Sequence, residues 1–61
     1  MKAKQLAKLI EAEGWYFDRQ KGSHMIFLKE GEKDHIVIPN HGGKDVKKPV
    51  VLSILKKVGL R

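Results

Sequence analysis

Ala3, Leu6, Ala7 and Ile10 recur at the three- and four-residue spacing of one helical face, with Leu9 beside them and Lys4, Lys8 and Glu11 opposite. The pattern predicts an amphipathic helix over residues 2–13, closed by Gly14, a residue suited to the left-handed turn just past a helix end. From Trp15 the period drops to two. Trp15, Phe17 and Arg19 fall on one side and Tyr16, Asp18 and Gln20 on the other, as in a strand. Lys21-Gly22 reads as a turn, and residues 23–29 as a second strand in which Met25 and Phe27 alternate against His24, Ile26 and Leu28. The polar stretch Glu30-Gly31-Glu32-Lys33 connects it to a third strand over residues 34–38, stopped by Pro39. Asn40-His41-Gly42-Gly43-Lys44 must be a loop. Val51, Ile54, Leu55 and Val58 then form a second apolar stripe, which predicts a helix over residues 48–58 with Pro49 in its first turn and Lys56 and Lys57 in its last.

The order α-β-β-β-α predicts an α+β fold, a three-stranded antiparallel meander with both helices laid on one sheet face. The face bearing Trp15, Phe17, Met25, Phe27, Ile36 and Ile38 is apolar throughout and is the expected core side. The other face carries Tyr16, Asp18, His24, Ile26, Leu28, His35 and Val37, more apolar than water alone favours, and is expected to meet a partner.

Length and charge narrow this picture. With 61 residues, residues 1–61 are read as a single small domain. The absence of cysteine excludes disulfides, thiolate metal sites and a cysteine nucleophile, and points to a reducing compartment. The longest apolar run, Met25 to Leu28, is far short of the ~20 residues of a membrane span, so the chain is expected to be cytoplasmic and away from membranes. The formal net charge is +6. Residues 1–39 nearly balance, whereas the only acid after Pro39 is Asp45, set among Lys44, Lys47, Lys48, Lys56, Lys57 and Arg61. A basic end of this kind suits a polyanion such as RNA, since phosphate contacts release counterions; a solvated lysine-rich helix is the plainer alternative.

No Walker loop, dinucleotide fingerprint, HExxH or Cys/His finger is present, and no cofactor is expected. His24, His35 and His41 have no metal-ligand spacing, so no metal site is expected either. His24 is the most suggestive residue. It follows Gly22-Ser23 at a strand start beside Arg19 and Lys21. Imidazole titrates near neutrality, so it can take a proton from a ribose 2′-hydroxyl or give one to a departing 5′-oxygen while cations hold the phosphate. An ordinary surface histidine would look the same. His41, in the glycine-rich loop, could contact phosphate or merely cap the loop, and His35 reads as sheet surface.

The chain as a whole resembles the HicA family of small toxins from toxin–antitoxin pairs, which are mRNA interferases. The residues that carry the resemblance are the lysine-rich helix closed by Gly14-Trp15, then Arg19-Gln20-Lys21-Gly22-Ser23-His24 with Phe27, then Ile36-Val37-Ile38-Pro39 and His41, and finally Lys47-Lys48 and Ser53 to Leu60. Pro49-Val50-Val51-Leu52 departs from the family pattern, which more often has a glycine or small residue, a threonine, a leucine and a polar residue there.

The resemblance implies a fold like that of double-stranded-RNA-binding domains and a metal-independent endoribonuclease that cuts mRNA with His24 on the Gly22-Ser23 turn. It also implies a HicB-like antitoxin partner that masks His24. RNA contacts are expected from Arg19, Lys21, His41, Lys44, Lys47, Lys48, Lys56 and Lys57. Antitoxin contacts are expected from Tyr16, His24, Ile26, Leu28 and Val37. The second proton-transfer group is not named by the sequence. A non-catalytic RNA-binding module of the same fold is the leading alternative, because A-form RNA can be bound through shape and 2′-hydroxyls without being cut. A protein-interaction module built on the apolar strand face is the third reading.

Overall fold

The computed structural model describes residues 1–60. Its elements are α1 (Ala3–Glu11), β1 (Tyr16–Lys21), β2 (His24–Leu28), β3 (Ile36–Pro39) and α2 (Lys48–Lys57), in the expected α-β-β-β-α order. The strands form one antiparallel sheet ordered β1-β2-β3. No described helix is long and apolar enough to cross a membrane.

The expected stripe of α1 is the buried one: Ala3, Leu6, Ala7 and Ile10 are all within the core. The helix stops two residues short of expectation because its last amides turn more tightly, Glu13 N–H reaching back only to the Ile10 carbonyl and Gly14 N–H to that of Glu11. Val51 and Ile54 of α2 join the same cluster with Phe27, Ile36, Ile38 and Trp15, so both helices cover one sheet face. Transfer of these side chains from water is the main driving force for folding, at roughly 25 cal/mol per Å² of apolar surface.

Three expectations are corrected. Phe17 belongs to the core side by register and packs edge-on to Phe27 at 5.8 Å between ring centres, yet remains 47% exposed. It stands on β1, an edge strand from which the core cluster draws no residue. β3 runs from Ile36 to Pro39 rather than over residues 34–38, and Pro39 is tolerated as the last residue of an edge strand. His35 therefore precedes the sheet rather than lying on its surface. Val46, which belongs to neither apolar stripe, is buried in the core as well.

Candidate active site

The turn between β1 and β2 sets the position of His24. Gly22 has φ +61°, a left-handed conformation that costs other residues steric strain, and its carbonyl accepts a hydrogen bond from the Gln20 side-chain amide at 3.0 Å. His24 then opens β2, paired across the ladder with Lys21 on one side and Pro39 on the other, its side chain exposed. The register between Phe17 and Arg19 is irregular, Phe17 pairing with Phe27 and Arg19 with Ile26, so that Asp18 is the extra residue of a bulge. This slip reverses the expected sides of the residues after it. Arg19 moves off the Trp15/Phe17 side onto the face of His24 and Ile26, and Gln20 moves the other way. Asp18 in turn accepts a hydrogen bond from the Arg19 guanidinium, offsetting part of its charge.

His41 is brought to the same place by β3. The Asn40 N–H donates to the Ser23 carbonyl at 2.7 Å, which ties the chain leaving β3 to the turn that precedes His24. The two imidazole rings stand 6.2 Å apart between centres and nearly perpendicular, at 80°. Both are exposed, and neither is hydrogen-bonded to another described residue.

The loop holding His41 is built firmly. Gly42 and Gly43 turn the chain at φ +57° and +79°, and Lys44 N–H donates to the His41 carbonyl at 3.0 Å. The N-terminus then clasps the loop. Lys2 and Asp45 form an antiparallel bridge, Val46 N–H donates to the Met1 carbonyl at 2.8 Å, and the Lys2 ammonium reaches the Gly43 carbonyl at 2.7 Å and the Asp45 carboxylate at 3.2 Å. The hydrogen bond from Lys2, then its charge and that of the N-terminal ammonium, hold the Asp45 carboxyl below its ordinary range. Sequence reasoning missed this clasp; its one visible trace is Val46, a lone apolar residue among charges.

The cations divide into two groups. Lys44 and Lys47 line a cleft of about 510 Å³ together with His41, Pro39 and Val50, and Lys48 begins α2 at the same end of the molecule. Lys21 and Arg19 approach from β1. Lys56 and Lys57 do not join them. The Lys57 ammonium donates to the His35 carbonyl at 3.2 Å, beyond the opposite end of β3 from the residue that pairs with His24. At ~3.3 Å per strand residue, that places the His35 backbone roughly 13 Å along the strand from Pro39. Among the described residues no group of three or more His, Asp or Glu side chains converges as a metal site would.

Comparison with known proteins places the chain in a family. A family model described as the HicA toxin of bacterial toxin–antitoxin matches residues 3–60, nearly the whole chain. The chain belongs to the HicA toxin family. A curated relative from Pseudomonas fluorescens (strain Pf0-1), named a probable mRNA interferase HicA, is 33% identical over 61 residues, covering 100% of this chain and 98% of its own length.

In this HicA-family chain the sheet face opposite the helices is less open than its composition suggested. Tyr16 is 52% exposed and Leu28 and Val37 are half-buried, but Ile26 is only 6% exposed although it lies outside the helix-side core. It sits on the central strand between Arg19 and Val37, with His24 and Leu28 before and after it on the same face, and these neighbours cover it. The face is thus an apolar rim with His24 at one corner.

Proposed function

We propose that this chain is the ribonuclease member of its toxin–antitoxin pair: an endoribonuclease that cuts mRNA without a metal ion, using His24 for proton transfer. The observation that carries the reading is the position of His24. It is an exposed imidazole at a strand start, paired across the ladder with Lys21, on the face of Arg19, and beside the loop that leads to Lys44 and Lys47. Cations on two sides of one imidazole suit a phosphodiester, whose charge they hold while the ring moves a proton. Family membership and the name of the Pseudomonas relative support the same substrate class.

Gly22 and Ser23 serve by shaping the turn, and His41, Lys44, Lys47 and Lys48 bind phosphate from the loop side. A HicB-like antitoxin is proposed to seat on Tyr16, Leu28 and Val37, with Ile26 supporting that rim from beneath, so that covering the face also covers His24. The cytoplasm, where mRNA is, is the proposed site of action.

The test is incubation of defined RNAs with the purified protein and its His24→Ala variant in the presence of a chelator. Cleavage by the first and none by the second is expected. RNA bound but left whole by the unaltered protein would favour the RNA-binding module instead.

A further inference from the structure

We propose that His41 is the second proton-transfer group of this site, forming with His24 a general acid–base pair on a single phosphodiester. The inference rests on the ribonuclease reading and deepens it. Attack by a ribose 2′-oxygen and departure of the 5′-oxygen take place on opposite sides of phosphorus. One ring cannot stand within hydrogen-bond reach, about 2.6–3.2 Å, of both oxygens at once. Two rings whose centres lie 6.2 Å apart can each reach one oxygen of the same phosphate. His24 is held by the β-ladder and His41 by a loop tied down at the Ser23, Met1 and Gly43 carbonyls. Both rings keep their nitrogens free of hydrogen bonds to other described residues. The backbone thus presents two unengaged imidazoles side by side, with Lys21 beyond one and Lys44 and Lys47 beyond the other.

The step balances. A neutral imidazole takes the 2′-hydroxyl proton as the 2′-oxygen bonds to phosphorus, and the other, protonated, gives its proton to the 5′-oxygen as the bond from phosphorus to that oxygen breaks. The products are a 2′,3′-cyclic phosphate and a 5′-hydroxyl, and the two rings have exchanged protonation states, which water restores.

The experiment compares two RNA oligonucleotides that share one cleavable position, the second carrying sulfur in place of the bridging 5′-oxygen. A thiolate leaves without needing a proton. His24→Gln and His41→Gln should each slow cleavage of the oxygen substrate by about 10²- to 10⁴-fold. On the sulfur substrate only one of them should recover to near the unaltered protein's rate, and that residue is the acid. Both side chains are exposed, so circular dichroism should report an unchanged fold, and His41→Asn repeats the test with a different amide. The pair is overturned if His41→Gln and His41→Asn cut the oxygen substrate at nearly the normal rate, or if neither histidine variant recovers on sulfur. Failure of the unaltered protein to cut either substrate would instead sink the ribonuclease reading on which the pair stands.

Discussion

His24 and Ile38 illustrate how differently two residues one strand apart contribute. Ile38 is fully buried and pairs with Met25, the residue next to His24, so truncating it to Ala leaves a cavity in the core. Such changes cost about 2–5 kcal/mol, a large fraction of the roughly 3–9 kcal/mol expected of a chain this short. His24 is exposed and bonded to no other described side chain, so His24→Ala should change stability by less than ~1 kcal/mol. Chemical denaturation of the two variants, beside a cleavage assay of each, checks this: Ile38→Ala should lose much of its stability and His24→Ala only its activity. An unfolded His24→Ala protein would mean that the histidine is structural.

At the level of elements, the loop clasp is the feature on which the position of His41 depends. The Asp45 carboxyl is held below its ordinary range, so it is more acidic folded than unfolded. Its attraction to Lys2 is therefore fully present above the unfolded value and is lost as pH falls through the lowered one. The pair is exposed, so salt should weaken it too. Hydrogen exchange at the Val46 amide, which donates to the Met1 carbonyl, reads the clasp directly. Protection, corrected for the intrinsic rate, should fall on acidification and on adding salt, and Asp45→Asn should show the weakened protection already at neutral pH. Protection unmoved by all three would assign the clasp to the backbone bridge and the burial of Val46.

Most of the element order was legible because the hydrophobic period changes from 3.6 to 2 and back at glycine-bearing segments, a local signal. The bulge at Asp18 was not. It arises from how β1 pairs with β2, and nothing in Tyr-Phe-Asp-Arg-Gln-Lys announces that Arg19 and Gln20 exchange sides. The meeting of His24 and His41 was hidden for a similar reason. They are seventeen positions apart by their numbers, and they meet only because His24 pairs with Pro39 and the Asn40 amide adds one more tie beyond it.

For the whole molecule, the division of the lysines replaces the single basic patch suggested by composition. Lys44, Lys47 and Lys48 share an end with the histidine pair, whereas Lys56 and Lys57 lie toward the far end of β3. Each phosphate-binding cation that is neutralised should reduce the steepness of log affinity against log salt by ~0.7 for single-stranded RNA. Replacing Lys44 and Lys47 by Gln should therefore flatten the salt dependence of RNA binding by about 1.4. Replacing Lys56 and Lys57 should flatten it much less. Equal effects would indicate an RNA path running the length of α2.

If two imidazoles at the β2 start cut RNA through its own 2′-hydroxyl, the chemistry is written in the ends that the reaction leaves. RNA digested by the full chain in excess chelator should yield, by mass spectrometry, new 2′,3′-cyclic phosphates, with their slow hydrolysis products, and new 5′-hydroxyls. Fragments ending instead in 3′-hydroxyl and 5′-phosphate would show that water, not the ribose, attacks phosphorus, and would rule this mechanism out.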